Sequence, residues 1–259
     1  QTQVMSNLTR SFWAKFKEFT NDDEKLKKFL LEDKKFKRNA LLLSIDKRND
    51  VSFRFMFEQV FCKIFKIEEF AYETNDEGQN FLHLLAKYGS VPKLKLALEK
   101  LKSELSHEDF HNFIKIKSKD GQNILHYAAQ FNEESSELVI NFIKNEVRSE
   151  VVNEMLRDVD NKNHLPLHSS IKSNSFELFE LFFSLYEQNF TKTELSDIFQ
   201  LKTEYGDNFL DLAFKNRKIF VKIDVMKIVN WFEDVTKFKK KLLAKERWNK
   251  GNSPGGAFF

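Results

Sequence analysis

The chain has 259 residues, with 42 Lys or Arg against 39 Asp or Glu, and its net charge of +3 gives no whole-chain argument for nucleic-acid or membrane binding. Only 7 glycines and 3 prolines occur, too few for a β-sandwich, a barrel or a disordered chain, and one cysteine excludes an internal disulfide. No apolar run approaches the roughly 18 residues that span a bilayer. We therefore expect an intracellular helical protein, either cytoplasmic or nuclear.

The first 38 residues predict a helical cap. Its two helices span roughly 7–19 and 23–31, and Asn21 and Asp22 supply the polar start of the second helix. The sequence begins without an initiator Met or a signal sequence. We therefore expect either a trimmed chain or a piece of a longer protein.

Four similar segments recur after this cap, and we interpret them as the starts of successive repeats. His83, His126, His168 and Asp211 occupy one position, at spacings of 43, 42 and 43 residues. A weaker upstream copy has Leu42 in this position. The segments are Gly78-Gln79-Asn80-Phe81-Leu82-His83, Gly121-Gln122-Asn123-Ile124-Leu125-His126, Asn163-His164-Leu165-Pro166-Leu167-His168 and Gly206-Asp207-Asn208-Phe209-Leu210-Asp211.

Each copy continues with the same order of helices. A short apolar helix is followed by a polar break and a longer amphipathic helix, as shown by the spacing of Leu94, Leu98 and Leu101. A third, short helix is predicted at 108–115, 149–157 and 194–200. One helical hairpin cannot cover its own apolar face, so the copies should stack. The leucines before the histidine position should be buried: Leu82, Leu125, Leu167 and Leu210.

The segments resemble the ankyrin repeat in their loop glycine, their T-P-L-H-type helix start and their Ala-Ala pair, most closely at 165–168 and 124–129. The resemblance implies an all-α, ankyrin-like helical solenoid of about four to five repeats, with helical caps and short loop ladders. It also implies structural histidines that form hydrogen bonds between neighbouring loops. Repeats over residues 39–235 are predicted at about 36–74, 75–117, 118–159, 160–202 and 203–235.

This sequence departs from the ankyrin pattern at several points. Ankyrin repeats usually have 33 residues, and the third short helix accounts for the longer period of 42–43 residues here. Asn163 replaces the loop glycine in one copy, and Asp211 replaces the last histidine.

Residues 236–250 predict a basic C-terminal cap helix, followed by a flexible tail at 251–259. The run from Lys237 to Lys250 contains seven cations and one acidic residue, Glu246. We prefer a solvated cap face, because cations suit a helix C-terminus. A weak contact with an anionic membrane or nucleic acid, or a nuclear import signal, is the alternative.

His107, Glu108 and His111 match the H-E-x-x-H pattern of zinc hydrolases. Such a site needs a third protein ligand, and the equivalent short helices of the other copies have no histidine. Ser106 and Asp109 instead predict a capping box for this helix. A zinc hydrolase is therefore the less favoured hypothesis, and we expect a non-enzymatic chain without a metal or cofactor.

We expect the chain to bind another protein or peptide, as ankyrin-like repeats do through a concave groove. The alternative is a cytosolic module of a larger channel or signalling protein. In such repeats the loop tips and the exposed end of the first helix line the groove. The predicted tip residues are Asp76, Glu77, Gln79, Lys119, Asp120, Gln122, Asn161, Lys162, His164, Glu204, Tyr205 and Asp207. The predicted helix-end residues are Lys87, Tyr88, Gln130, Phe131, Lys172, Ser173, Lys215 and Asn216.

Overall fold

A computed structural model describes residues 23–31, 40–45, 50–88, 90–131 and 133–222. All regular structure within these ranges is helical, and they contain no β-strand. The predicted cap helix at Asp23–Leu31 is present. The predicted helix at 7–19, the basic cap at 236–250 and the tail at 251–259 lie outside the described residues.

The helices recur in a fixed order and divide the described chain after the cap into five similar units. Each unit has an opening helix and then a long helix, and units one to four add a short closing helix. The opening helices are Ala40–Leu43, Phe81–Tyr88, Ile124–Phe131, Pro166–Lys172 and Phe209–Lys215. The long helices of units two to four are Val91–Glu104, Glu133–Glu146 and Phe176–Asn189, and the second helix of unit five is described over Arg217–Lys222. The closing helices are Ile67–Ala71, His107–Ile114, Ser149–Arg157 and Lys192–Gln200.

The long helix of the first unit differs from the others in its backbone. It consists of Asp50–Arg54, a π-helical stretch at Phe55–Phe61 and Cys62–Ile64. Phe57 and Phe61 in this stretch are fully buried, and their rings pack against Phe70 of the same unit. Aromatic packing therefore anchors a segment whose hydrogen bonding departs from the α-helix.

The units stack side by side. Each opening helix from unit two to unit four packs against the opening helix of the next unit, and the long helices form a second row in the same order. One continuous apolar core runs between the two rows. A unit therefore completes its apolar cover with its neighbours, as a stacked array requires.

The closing helices begin where their capping residues stand. Ser106 Oγ accepts a hydrogen bond from the backbone N–H of Asp109 at 3.1 Å and donates to Asp109 Oδ2 at 2.6 Å, so Ser106 caps this helix, which is one half of the predicted capping box. Thr191 caps the last closing helix in the same way through the backbone N–H of Glu194. The predicted starts at 108 and 194 were late by one and two residues, because each helix begins directly after its cap. Ser149–Arg157 matches its prediction.

A tight turn precedes the opening helix in units two to five. In the second unit the N–H of Asn75 donates to Gln79 O at 3.0 Å, and the N–H of Gly78 donates back to Asn75 O at 2.9 Å. The other three turns repeat this pair of bonds. The residue at the glycine position has a positive φ in every turn: 70° at Gly78, 78° at Gly121, 56° at Asn163 and 79° at Gly206. Asn replaces glycine in one turn because it tolerates this left-handed conformation.

Backbone hydrogen bonds join each turn to the next. Lys119 N donates to Glu77 O at 2.9 Å, and Asn161 N donates to Asp120 O at 2.8 Å. Glu204 N donates to Lys162 O at 3.0 Å. The loop ladder expected from the sequence is therefore present. One backbone hydrogen bond joins each pair of neighbouring turns, and the described residues contain no strand.

The four leucines before the histidine position are all buried, which agrees with the predicted register. Leu125 is 0% exposed in the central unit. We expect Leu125→Ala to lower the free energy of unfolding by about 2–5 kcal/mol, the range for truncating a core leucine. Leu43→Ala is the matched control, because Leu43 is 49% exposed, and it should cost under about 1 kcal/mol. Equal costs in urea unfolding would contradict this register.

Two glycines allow strain and crowding in the turns to be measured separately. A Cβ on Gly121 would lie 2.8 Å from Asn161 Oδ1, whereas a Cβ on Gly206 would meet no atom within 4 Å. Gly206→Ala should therefore cost only the left-handed strain, about 1–2 kcal/mol. Gly121→Ala should cost at least about 1 kcal/mol more, because it also pushes the next turn away. Chemical unfolding of both variants checks this, and indistinguishable costs would refute close stacking of the turns.

Candidate functional site

The candidate site is the face formed by the turn tips and the C-terminal ends of the opening helices, which we call the tip face. The two parts meet within a unit: Lys172 Nζ lies 2.7 Å from His164 Nε2 in the fourth unit, and Lys215 forms an ion pair with Asp207 in the fifth. Opening helices pack in a row and their turns are bonded together. The tip face therefore runs across units two to five.

Most predicted tip residues are exposed. Tyr205, in the last turn, is 72% exposed, the largest value among the exposed large hydrophobic side chains of the described chain. The other tips carry both acidic and basic side chains. The exposed charged tip residues are Asp76, Glu77, Lys119, Asp120, Lys162 and Glu204.

The prediction for His164 was wrong, because this side chain is only 2% exposed. Its Nδ1 lies 3.2 Å from Asp160 Oδ1, and its Nε2 contacts Lys172. His164 follows the left-handed residue of the turn, and the side chain at this position folds inward. Gln79, at the same position in the second unit, is likewise buried and donates to the Tyr127 hydroxyl at 2.9 Å.

The helix-end residues divide between exposed and internally bonded side chains. Tyr88 is half-buried, and Lys87 Nζ lies 4.8 Å from the centre of its ring. Lys172 and Lys215 are exposed. The side chain of Phe131 lies outside the described residues.

The side chains of three other predicted helix-end residues form hydrogen bonds within the chain, and one of these bonds joins two units. Asn216 Nδ2 donates to Ile171 O at 2.7 Å, across the boundary between the fourth and fifth units. Gln130 Nε2 donates to His126 O at 3.0 Å, and Ser173 Oγ donates to Ser170 O at 2.6 Å. Their polar atoms are thus engaged within the chain.

His83 and His126 each connect their own helix to a later loop. Nδ1 of His83 accepts from the backbone N–H of Asn80 at 3.2 Å, and Nε2 donates to Ile116 O at 3.0 Å. His126 accepts from Asn123 N at 3.3 Å and donates to His164 O at 2.9 Å. His168 accepts from the backbone of Leu165, but its Nε2 has no hydrogen-bond partner in the described structure.

Burial keeps these three imidazoles neutral. It lowers the pKa of His83 and of His126 to about 4, although hydrogen bonds to backbone carbonyls act in the opposite direction. Burial, together with the nearby His164 and Lys172, lowers the pKa of His168 to about 3. The structural role expected for these histidines therefore requires their uncharged form.

The H-E-x-x-H residues do not face the same environment. His107 is exposed, whereas His111 is buried and its Nε2 accepts from the backbone N–H of Arg148 at 3.4 Å. Burial lowers the pKa of His111. Within the described ranges no group of three or more His, Cys, Asp or Glu side chains could hold a metal ion.

Comparison of the chain with known protein families and with curated protein sequences gives no match. None of the helices that the structure describes is both long enough and apolar enough to cross a membrane.

Sequence reasoning missed Asp160, which is 7% exposed and accepts hydrogen bonds from the backbone N–H groups of Lys162 and His164 at 2.9 and 2.8 Å. Burial would raise the pKa of its carboxyl group, but the hydrogen bonds from His164 hold it below its usual range. Aligning the turns would have revealed it, because only this turn carries Asp four residues before a His.

The buried histidines predict a defined pH dependence of stability. Their pKa values lie near 3–4 in the folded chain and near 6.5 when unfolded, so the unfolded chain binds more protons below pH 6.5. The free energy of unfolding should be level above this pH. It should fall from pH 6.5 to 4, by up to about 1.4 kcal/mol per pH unit for each histidine.

Urea unfolding at fixed ionic strength measures this dependence. Replacing His126 by Gln should make the fall less steep, and replacing the exposed His107 by Gln should leave it unchanged. A free energy that stays level down to pH 5 would contradict neutral buried imidazoles.

Proposed function

We propose that the chain is an ankyrin-like solenoid that binds an extended segment of another protein along its tip face. The observation that carries this proposal is the Tyr205 ring, which is 72% exposed at a turn tip, whereas Tyr72, another exposed aromatic ring of the described residues, is 44% exposed. Tyrosine is enriched among the residues that dominate binding energy at interfaces. Tyr88, half-buried at a helix end, offers a second ring on the same face.

The rigidity of the tip face supports this role. Each turn is closed by its own pair of backbone hydrogen bonds and joined to the next by another. Binding therefore orders few backbone groups on this side of the interface, which reduces the entropic cost of association.

The charges of the tip face indicate the chemistry of the partner. Lys87, Lys172 and Lys215 occupy one helix-end position, with Gln130 at the same position in the third unit. Packed helices lie about 8–10 Å apart, and an extended chain rises about 3.3 Å per residue. An extended partner segment would thus span one unit with about three residues. Its acidic residues would be spaced about three or six positions apart to meet the lysines, and large apolar residues would lie beside them.

We place this module inside the cell. One cysteine in the whole chain suits a reducing compartment. Burial raises the pKa of the Cys62 thiol to about 11, so the group stays protonated and unreactive.

Selection from a displayed library of random extended peptides, using the whole chain as bait, tests the proposal. We expect enrichment of peptides that combine acidic residues about three or six positions apart with a large apolar residue. Tyr205→Ala should weaken their binding by about 2 kcal/mol, roughly 30-fold. Tyr88→Ala should also weaken binding, and both variants should keep the parent melting temperature.

Tyr72→Ala is the matched control, because Tyr72 is 44% exposed but packs edge-on against Phe113 of a closing helix and belongs to neither a turn tip nor an opening helix. This variant should bind the selected peptides like the parent chain. The tip face is not the binding face if both tip-face variants bind as tightly as the parent, or if Tyr72→Ala alone weakens binding.

A further inference from the structure

The turn of the fourth unit connects three titratable side chains in a row. Asp160 Oδ1 lies 3.2 Å from His164 Nδ1, and His164 Nε2 lies 2.7 Å from Lys172 Nζ. Of the four described turns, only this one places an imidazole between a carboxylate and an amine. The equivalent residues are Asn75, Gln79 and Lys87 in unit two, Ser118, Gln122 and Gln130 in unit three, and Thr203, Asp207 and Lys215 in unit five.

Hydrogen bonds fix where the protons sit in this row. Asp160 Oδ1 accepts from two backbone N–H groups, and Oδ2 accepts from Gln122 Nε2 at 3.3 Å, so the group is an acceptor carboxylate. A carboxylate beside Nδ1 holds the imidazole hydrogen on that nitrogen. Nε2 of His164 therefore presents its lone pair to Lys172.

The contact between His164 Nε2 and Lys172 Nζ places a basic nitrogen directly beside an amine. Nε2 and Nζ share one hydrogen bond, and one of the two nitrogens must accept it. With the Nδ1 hydrogen directed at Asp160, Nε2 is the acceptor of this bond and Nζ is its donor. A nucleophile in contact with a base that a third group orients is the usual arrangement of an activated nucleophile.

We infer that Lys172 is a nucleophilic lysine that accepts acyl groups from thioesters, with His164 as its base. The Lys172 ammonium first releases one proton to solvent, and the Nζ lone pair then forms a bond to the thioester carbonyl carbon while the bond from that carbon to sulfur breaks. His164 takes the proton that Nζ loses and returns it to the departing thiolate. The products are an amide on Lys172 and a free thiol, so no electrons are gained or lost overall. Asp160 is a positioning residue, because it acts through His164.

The surroundings of Lys172 allow this reaction. Its side chain is exposed, so a thioester in solution can reach Nζ, whereas the histidine and the aspartate behind it are buried. Partial desolvation lowers the pKa of the Lys172 ammonium, against the effect of the Asp160 carboxylate, and Lys162 lowers it further. The titratable or charged groups that face Lys172 are Asp160, Lys162, His164, His168 and Glu204.

Lys215 is a matched internal control. It occupies the same helix-end position one unit later and is exposed, but its partner is the Asp207 carboxylate. A carboxylate is a much weaker base than an imidazole. The two lysines thus differ in the group beside Nζ and in the partial desolvation of Lys172, and the His164→Gln substitution separates these two effects.

The experiment treats the whole chain with a small, neutral acetyl thioester at pH 7.5 and follows acetylation of each lysine by peptide mass spectrometry. We expect Lys172 to react at least about tenfold faster than Lys215, since a positioned base contributes a factor of this order or more. The acetylation rate of Lys172 should increase over a lower pH range than the acetylation rate of Lys215. Equal rates at the two lysines in the parent protein would overturn the inference without any variant.

Three substitutions copy residues that the other units already carry at the same positions. His164→Gln should bring Lys172 to within about threefold of Lys215 and leave Lys215 unchanged, because the glutamine amide is not a base at this pH. Asp160→Asn should reduce the Lys172 rate and shift its pH profile upward. Lys172→Gln should remove the fast site while the other lysines react as before.

The melting temperature of each variant shows whether a slower reaction comes from unfolding or from removal of the His164 base. A folded His164→Gln protein in which Lys172 reacts as fast as in the parent would overturn the role of His164. The acetylation assay needs no peptide partner. Failure of tip-face binding and failure of this reaction are therefore distinguishable.

Discussion

The stack is held in part by two buried, uncharged imidazoles that bond in two directions, those of His83 and His126. His126 accepts a hydrogen bond from the N-terminus of its own opening helix and donates one to the backbone of the next turn. Burial disfavours the protonated ring, because it lowers the pKa of His126 to about 4. The same residue thus fixes the start of a helix and the position of the neighbouring unit, which explains why the position recurs with the period of the fold.

The closing helices account for the length of the period. Their buried faces pack against the long helices and extend the core sideways, and each starts at its own polar cap. Ion pairs also join successive closing helices, such as Lys115 with Glu154 and Arg157 with Glu194, although exposed pairs add little stability. The added residues therefore form a third layer and leave the spacing of the turns unchanged.

Periodic apolar residues made most of this fold predictable from the sequence. The burial of Leu125 and the bounds of Ser149–Arg157 follow from spacing and capping signals that act within a few residues. The π-helical stretch at Phe55–Phe61 could not be predicted, because it reflects ring packing across the first unit. The inward position of His164 was missed for a related reason: its orientation depends on Asp160 and Lys172, which local patterning treats as solvated charges.

The turns show how side chains can vary without loss of the fold. Their closing bonds and the rungs between them use backbone atoms, and the positive φ requires only glycine or asparagine. The side chains at the first and fifth positions of the turn remain free to change, and they do: Asn75 with Gln79 is an amide pair, and Asp160 with His164 is a carboxylate and an imidazole. In the second unit the pair bonds to the Tyr127 hydroxyl and lies wholly inside. In the fourth unit the same geometry reaches the exposed Lys172. A buried polar pair that stabilises one turn can therefore become a chemically active one in another, by substitutions that leave every backbone bond in place.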